Sequence, residues 1–210
     1  MKIYDIENFP NPARIRIALG EKGIADKAEF IPVDVMNGEH RTDDFKAKNP
    51  DASVPCMELE CGTMLSQCTA ITEYIDAEYE NLTGYASLTG DSSKERAVIH
   101  MMNRRAEANL LDAVGAYFHY ATPGLGPELE TYQNASWGNR QKDNAIATMK
   151  YLNDVLRDNE FLAGKNFSMA DITAFAGLAF ADFAKIDIPA ELEHLLSWRE
   201  KVAARPSVAG

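Results

Sequence analysis

The feature of this 210-residue sequence that most constrains its fold is a change of pattern near residue 80. Before that point, short runs of β-branched and aromatic residues alternate with stretches in which apolar residues recur at helical spacing. The predicted elements are a strand at 2–6, a helix at 12–22, a strand at 28–35, a short helix near 42–48, strands at 54–60 and 63–67, and a helix at 67–79. The order β-α-β-α-β-β-α predicts an α/β module.

Prolines and glycines support these boundaries. Pro12 suits the first turn of the first helix, and Gly23 suits its end. Because Pro32 has no backbone N–H, we expect the second strand at an edge of the sheet. The pair Cys61-Gly62 is typical of a hairpin turn between the last two strands.

No strand pattern is found in the second part of the chain. Residues 81–93 are rich in Gly, Ser and Thr and predict a linker. Helical patterns follow at 94–120, 130–159, 168–184 and 190–204. We therefore expect an α/β domain over residues 1–80 and an all-helical domain over residues 94–210.

The chain is acidic, with 21 Lys and Arg against 32 Asp and Glu and a formal net charge of −11. Phosphate binding needs a basic surface, so this charge argues against a nucleic acid as the main partner. The longest apolar stretches, such as 174–184, are short and carry a charge, and Asp5 and Glu7 lie where a signal peptide needs an apolar run. We expect a cytoplasmic protein with no membrane partner.

Three cysteines lie close together at positions 56, 61 and 68. Their odd number and local spacing do not suggest a disulfide framework. The spacing also fits no usual zinc site, and no histidine is near in sequence. We expect free thiols in a reducing compartment and no bound metal.

The most specific motif is the run N-P-D-A-S-V-P at 49–55, which leads into a predicted strand. Pro55 cannot donate a hydrogen bond to a sheet, and a cis Val54-Pro55 bond would turn the Val54 backbone outward. An outward Val54 offers its N–H and C=O to a peptide-like ligand, as an added strand does. The start of the helix near Gln67 suits a carboxylate. The simpler alternative is a proline at a strand edge and an ordinary helix start.

Taken together, N-P-x-x-x-V-P at 49–55 and Q-C-T-A-I-T-E-Y-I at 67–75, followed by a linker and an all-helical half, resemble the cytosolic glutathione transferases. F-S-M-A-D-I-T at 167–173 resembles the capping box of that family's core helix, with Ser168 as the cap and Asp171 reaching back. Segments such as Y-F-H-Y-A-T-P-G-L-G-P-E are similar to a Gtt2-like fungal and bacterial subgroup. The resemblance implies a thioredoxin-like N-terminal domain, a homodimer and a role in detoxification.

The resemblance also implies which residues bind glutathione. Val54, ahead of a cis Pro55, pairs with the cysteinyl backbone of glutathione. Gln67 and Cys68 hold the γ-glutamyl end, with a thiol where the family has a hydroxyl, which makes the side chain a weaker donor.

Further contacts are expected at the glycyl carboxylate, where His40 and Ser53 match positions that approach it in the family. A solvated loop histidine is the simpler interpretation of His40. Glutathione is anionic, so the acidic surface does not attract it, and binding must depend on local donors that include Arg14.

The residue that activates the thiol is missing from its usual place. Most of the family uses Tyr, Ser or Cys near the start of the first helix, but N-F-P-N-P-A-R at 8–14 contains none. Tyr4 lies inside a predicted strand and receives no role. We expect the helix start to lower the thiol pKa from about 8.5, through the N–H groups of Ala13 and Arg14 and the amide of Asn11.

The resemblance further implies a water molecule, held by the second domain, that accepts the thiol proton. His119 is the best match for a residue that positions this water, since a neutral imidazole accepts a proton near working pH. A serine of the subgroup that helps to hold the water is replaced by Gly115. The alternative is that His119 is an aromatic-flanked helix residue with a satisfied hydrogen bond.

A small hydrophobic electrophile is expected beside the thiolate, between the two domains. The candidates for its apolar wall are Phe9, Tyr117, Phe118, Tyr120 and Met101 or Met102. Aromatic and Met residues at helical spacing are more often part of a core, which is the competing interpretation. We place Trp137 and Trp198 in the core.

Three functions stay open at this stage. The first is conjugation of the glutathione thiolate to an electrophile. The second is a non-catalytic glutathione-binding or interaction module, which the missing Tyr, Ser or Cys at 8–14 leaves open. The third is reduction of organic hydroperoxides, which needs the same thiolate. Cysteine-dependent thiol transfer is not expected, because the chain has no C-x-x-C motif and no Cys at 8–14.

Overall fold

The computed structural model describes residues 1–79 and 85–209, which form two compact units. Of the described residues, the first unit comprises 1–79, 85–89 and Pro206–Val208, and the second comprises Gly90–Arg205 and Ala209. The first four residues of the predicted linker, 81–84, lie outside the described residues. The part of that linker at 85–89 groups with the first unit, and the part at 90–93 groups with the second.

The first unit is built on a four-stranded sheet with the order β2-β1-β3-β4. The strands are β1 (Lys2–Asp5), β2 (Glu29–Pro32), β3 (Cys56–Glu58) and β4 (Met64–Ser66). β1 pairs in parallel with β2 and antiparallel with β3, which pairs antiparallel with β4. β2 therefore lies at the edge predicted from Pro32, and Gly62, with φ of 82°, turns the hairpin between β3 and β4.

Three α-helices complete the predicted order of the first unit: α1 (Pro10–Glu21), α2 (Asp43–Lys46) and α3 (Cys68–Glu78). Two short 3₁₀ helices, Ala25–Lys27 and Glu39–Arg41, lie between them. The predicted thioredoxin-like arrangement of strands and helices is confirmed. α1 begins two residues earlier than predicted, because Pro10 also suits the first helical position and follows an extended Phe9.

Alternation along the strands divides the core of this unit between the two faces of the sheet. Ile3 and Met57, which are register partners, belong to one buried cluster together with residues of α1 and α3. Their neighbours Tyr4 and Cys56 belong to another cluster that includes Phe45 of α2. α1 and α3 therefore cover one face and α2 covers the other.

A buried ion pair ties the segment before the second unit to the first. The ammonium of Lys22, only 1% exposed, donates to Asp76 Oδ1 at 2.8 Å. Asp76 Oδ2 accepts hydrogen bonds from Ser87 Oγ, from the Leu88 N–H, and from the N–H and hydroxyl of Thr89, at 2.7–3.0 Å. Burial opposes ionisation of Asp76, but these donors outweigh it and lower the pKa of the carboxyl. Residues 87–89 are thus anchored to α3.

The C-terminus also returns to the first unit. The hydroxyl of Ser207 donates to the Glu21 carboxylate at the end of α1. Gly20 permits this approach, since a Cβ there would lie 3.0 Å from the Cβ of Ser207. Pro206–Val208, at the end of the predicted all-helical stretch, therefore group with the first unit, and Ala209 groups with the second.

The second unit is helical, as predicted. Its helices are α4 (Ser93–Ala106), α5 (Asp112–Ala121), α6 (Leu125–Leu129), α7 (Ala135–Asp158), α8 (Met169–Phe183) and α9 (Glu193–Ala203). The short helix α10 (Pro206–Ala209) follows, and its residues Pro206–Val208 group with the first unit. A π-helical turn at Glu107–Leu111 joins α4 to α5 in the stretch predicted as one helix. None of the described helices combines the length and the apolar character that crossing a membrane needs.

α8 is the central helix of this unit, with ten of its fifteen residues buried. The predicted capping box is present: the Asp171 carboxylate accepts from the N–H and the hydroxyl of Ser168. Asp171 also accepts from the Leu162 N–H and the Trp198 indole N–H, and burial raises its pKa to about 6 despite these donors.

Of the two tryptophans predicted in the core, Trp198 is buried and Trp137 is not. Trp137 is 51% exposed in the first turn of α7, where its N–H is capped by Asn134. The buried positions of α7 include the adjacent Gly138 and then Ala145 and Leu152, so Trp137 lies beside the buried stripe. Its position around the helix, not its apolar character, determines its exposure.

We predict that Asp76→Asn destabilises the protein by about 3–5 kcal/mol, because it leaves the Lys22 ammonium buried without a counter-charge. Urea unfolding of the full chain measures this. The double variant Lys22→Met/Asp76→Asn removes the unpaired charge and is expected to recover part of the loss. A loss below about 1 kcal/mol in Asp76→Asn would contradict the prediction.

Candidate functional site

The loop that precedes β3 is organised around one buried side chain, Asn49. Asn49 is fully buried, and its Nδ2 donates to the Ser53 carbonyl at 2.7 Å and to Ser53 Oγ at 3.1 Å. Its Oδ1 accepts from the Asp51 N–H at 3.2 Å, and Ala52 adopts a left-handed conformation with φ of 49°. The amide therefore determines the course of the backbone up to Ser53.

Val54 follows directly, and its peptide bond to Pro55 is cis, as the sequence predicts. Pro55 is buried and leads into β3. Within residues 1–79 and 85–209, neither the N–H nor the C=O of Val54 has a hydrogen-bond partner. A free N–H and C=O on one residue beside a strand can pair with the backbone of an extended peptide.

Gln67 precedes α3 with φ of 70° and brings two parts of the site together. Its side chain is exposed, and its Nε2 donates to Asp51 Oδ2 at 3.0 Å. This contact joins the Asn49 loop to the start of α3. The same helix start directs backbone N–H groups and the positive end of the helix dipole outward, which favours an anionic group.

Cys68 is buried at the first position of α3, and its thiol is directed towards α1. The thiol donates to the Asn11 carbonyl oxygen at 3.4 Å and lies 3.8 Å from Asn11 Oδ1. The packing of α1 on α3 therefore brings together residues that are 57 positions apart in the sequence.

The start of α1 offers fewer backbone donors than the sequence suggested. The Ala13 N–H, predicted to be open, donates to the Phe9 carbonyl at 3.1 Å, because the helix begins at Pro10. Pro10 and Pro12 have no N–H, so Asn11 carries the one backbone N–H among the first three helical positions.

Arg14 is near these residues but is not at the surface. It is 4% exposed, and its guanidinium donates to Asn11 Oδ1 at 2.9 Å. The buried guanidinium of Arg14 therefore lies against the Asn11 side chain.

His40 and Ser53, predicted at the glycyl carboxylate, occupy two separate loops of the first unit. His40 belongs to the short 3₁₀ helix Glu39–Arg41, and its Nδ1 is buried without a hydrogen-bond partner among the described residues. Burial and the neighbouring charge of Arg41 lower its pKa. Ser53 is exposed, with its Oγ held by Asn49.

Tyr4 has a structural partner, which agrees with giving it no role. Its hydroxyl donates to Glu58 Oε2 at 2.7 Å. This hydrogen bond, together with burial and the charge of Glu58, raises the pKa of Tyr4 to about 12. The phenol is therefore protonated and already engaged with a carboxylate.

In the second unit, His119 lies on α5 with its imidazole partly buried. Its Nδ1 is buried and has no hydrogen-bond partner within the described part of the chain, in contrast to the simpler expectation of a satisfied histidine. Burial lowers its pKa, and the Glu130 charge acts in the opposite direction. A Cβ at Gly115, one turn earlier, would lie 3.4 Å from the ring of Phe180.

The aromatic residues predicted to contact an electrophile have different surroundings. Phe9 is the half-buried residue before α1, and Tyr117 has the Lys142 ammonium 5.1 Å from its ring centre. Tyr120 packs edge-on against Tyr132 at 6.3 Å.

Two other candidates belong to the core of the second unit. Phe118 is buried and packs against two aromatic rings of α8. Met102 is likewise buried, whereas Met101 is 44% exposed.

Two further candidates for functional residues, Asn49 and Asp51, lie inside the N-P-D-A-S-V-P motif at 49–55. Only Ser53, Val54 and Pro55 of this motif receive a predicted role from the sequence. An Asn followed by Pro is typical of a turn in which the side chain bonds nearby backbone, and this signal points to Asn49. No local signal predicts the contact of Asp51 with Gln67, since it joins positions 16 apart.

Comparison with known proteins identifies the family of the chain. The family model described as "Glutathione S-transferase, N-terminal domain" matches residues 10–78, and that described as "Glutathione S-transferase, C-terminal domain" matches residues 129–210. The curated "Glutathione S-transferase 2" of Saccharomyces cerevisiae is 51% identical over 208 residues, covering 99% of this chain and 88% of the relative.

Solved structures give the same result. A glutathione S-transferase domain-containing protein of Marinobacter aquaeolei is 65% identical, with a TM-score of 0.94, over 99% of this chain and 100% of that one. Gtt2 of Saccharomyces cerevisiae is 51% identical, with a TM-score of 0.93, over 100% of this chain and 99% of that one. The chain belongs to the glutathione S-transferase family. Within it, the chain is similar over nearly its whole length to yeast Gtt2, as its motifs suggested.

We predict that Tyr4→Phe leaves the turnover of glutathione conjugation and its pH profile unchanged, because the phenol is protonated and bonded to Glu58. Loss of that hydrogen bond is expected to reduce stability by about 1 kcal/mol. Steady-state kinetics over pH and urea unfolding measure the two effects. A tenfold fall in turnover would show instead that Tyr4 acts on the thiol.

Proposed function

We propose that this protein is an enzyme that conjugates the thiolate of glutathione to small hydrophobic electrophiles. The observation that carries the proposal is the juxtaposition, in the first unit, of the Val54 backbone with the starts of two helices. Asp51 and Gln67 link the Val54 loop to α3, and Cys68 links α3 to Asn11. Such a surface suits an extended, anionic tripeptide with a thiol in its middle residue.

Glutathione is proposed to bind along this surface. The N–H and C=O of Val54, ahead of Pro55, pair with its cysteinyl backbone. The start of α3 receives the γ-glutamyl carboxylate, with Gln67 as a side-chain contact and the backbone of residue 68 as a donor. The thiol of Cys68 is already directed to Asn11, so we expect little help from that side chain.

The glycyl carboxylate is assigned to His40 and Ser53. Support for this assignment comes from the buried, unpartnered Nδ1 of His40 and from the fixed position of the Ser53 hydroxyl beside Asn49. These donors are local, which is consistent with an anionic ligand on a protein whose net charge is −11.

The thiolate is proposed to form at the start of α1 without a Tyr, Ser or Cys. A free thiol has a pKa of about 8.5, and helix starts lower the pKa of thiols by one to several units. Each unit corresponds to about 1.4 kcal/mol of preference for the anion. Asn11 supplies a backbone N–H and a side-chain amide for this purpose.

His119 is proposed to accept the thiol proton through one water molecule. Because burial lowers its pKa below the usual value, the imidazole is neutral at neutral pH and its Nδ1 is available as an acceptor. Phe9, Tyr117 and Tyr120 stay the predicted contacts of the electrophile. Homodimer assembly, cytoplasmic location and a role in detoxification stay predictions from the family resemblance.

The primary test is retention of the protein on immobilised glutathione, followed by a conjugation assay with a panel of aromatic electrophiles. We expect both retention and turnover. Retention without turnover would favour the non-catalytic binding module, which the absence of Tyr, Ser and Cys at 8–14 supports. Turnover with organic hydroperoxides alone would indicate the peroxidase activity instead.

We predict that His119→Ala lowers kcat about 100-fold, the lower end of the usual effect of a general base, and leaves glutathione affinity nearly unchanged. In the unaltered protein, kcat is expected to fall as pH decreases through the lowered pKa of His119, because the protonated imidazole accepts no proton. The variant is expected to lack this acidic limb.

The matched control is His194→Ala, since His194 is an exposed histidine of the same helical unit. Stopped-flow or steady-state kinetics with saturating glutathione measures kcat, and calorimetry measures affinity. Unchanged turnover of His119→Ala at neutral pH would remove His119 from the mechanism.

A further inference from the structure

The orientation of the Asn11 amide is determined by the groups around its oxygen. The guanidinium of Arg14 faces one end of the amide at 2.9 Å. Arginine has five N–H donors and no acceptor, so the atom opposite it must be Oδ1 and not Nδ2. The Cys68 thiol, 3.8 Å from Oδ1 and donating to the Asn11 carbonyl, is a second donor on the same side.

The consequence is that the NH₂ group of Asn11 is directed away from Arg14. No described residue accepts a hydrogen bond from Nδ2. The backbone N–H of Asn11 lies at the second position of α1, where a helix provides no acceptor. Asn11 thus presents two donors, and Pro10 and Pro12 present none beside it.

The burial of Arg14 distinguishes its role from that of a ligand contact. With 4% of its surface exposed, the guanidinium is covered by the protein, and its charged hydrogen bond to Oδ1 is shielded from water. A charged hydrogen bond of this kind is about twice as strong as a neutral one, which suits it to hold one side-chain orientation.

We infer that Arg14 is a positioning residue for the glutathione thiolate: it holds Asn11 Oδ1 so that Asn11 Nδ2 donates to the sulfur. This inference rests on the proposed function, since it concerns the same thiolate. Asn11 is the group that touches sulfur, and Arg14 acts through it. With the Asn11 amide held in this orientation, α1 stabilises an anion although its first three positions carry only one backbone N–H.

The test measures the pKa of the bound glutathione thiol from thiolate absorbance over pH, together with kcat, glutathione affinity and urea unfolding. Asn11→Ala is expected to raise the thiol pKa by about one unit, a tenfold loss of thiolate at pH values below it. Asn11→Asp keeps an oxygen acceptor for Arg14 but replaces the donor with a negative charge, so a larger rise is expected.

A double-mutant cycle separates positioning from direct action of the charge. Arg14→Met is expected to raise the thiol pKa as much as Asn11→Ala, and the double variant is expected to equal either single variant. A further rise in the double variant would mean that the Arg14 charge acts on sulfur directly. Weaker glutathione binding with an unchanged thiol pKa in Arg14→Met would mean that Arg14 contacts the ligand. Either result overturns the inference.

Arg16→Met is the matched control, because Arg16 lies on the same helix but pairs with Asp5 at 2.8 Å. Its thiol pKa is expected to equal that of the unaltered protein. If Arg14→Met does not fold, the two Asn11 variants still decide the matter, since an unchanged thiol pKa in both overturns the inference. If the unaltered protein does not lower the pKa of bound glutathione, the proposed thiolate mechanism is overturned. If it does lower that pKa but the variants leave it unchanged, only the role of Arg14 and Asn11 is overturned.

Discussion

The packing of α1 against α3 on one face of the sheet is the constraint on which the rest of the first unit depends. The shared cluster contains Ile3 and Met57 from the strands and apolar residues of both helices, all with little or no exposure. Because this burial supplies the main favourable free energy of folding, the two helices cannot separate without losing the core. Their starts therefore meet at one edge, where Asn11 contacts Cys68. The proposed glutathione surface is a consequence of that packing.

Buried polar side chains hold the segments of the first unit that lack regular secondary structure. Asn49 replaces the missing secondary structure of its loop with side-chain hydrogen bonds, and Asp76 does the same for residues 87–89. Buried backbone groups need partners, and one carboxylate or amide satisfies several of them at once. The polar groups at Val54 and Asn11 that have no partner among the described residues stand out against these bonded neighbours.

Much of the fold could be predicted from local patterns. The period-2 and period-3.6 spacing indicated the order of strands and helices, Pro32 indicated the edge strand, and Ser168 with Asp171 indicated the start of α8. The motif at 49–55 also predicted the site loop and its cis Val54-Pro55 bond. These signals succeed because a turn, a cap or a strand edge depends on a few adjacent residues.

The structure differs from the sequence pattern where a position in a helix decides the outcome. Trp137 is apolar but exposed beside the buried stripe of α7, and the Ala13 N–H is bonded to the Phe9 carbonyl because α1 begins at Pro10. Other contacts, such as that of Asp76 with Leu88, depend on a partner distant in sequence. A one-residue change in the start of a helix alters which backbone groups are free.

The sequence by itself determined the α/β module followed by helices, the family, and the absence of Tyr, Ser and Cys from residues 8–14. Local spacing and composition carry that information without reference to distant contacts. Only the tertiary structure decided that Arg14 is buried against Asn11, that the Cys68 thiol is directed to α1, and that Asp51 meets Gln67. These contacts arise when packing of the core brings separate segments together. The guanidinium of Arg14, which would bind solvent or an anion at the surface, bonds to Asn11 because it is removed from water.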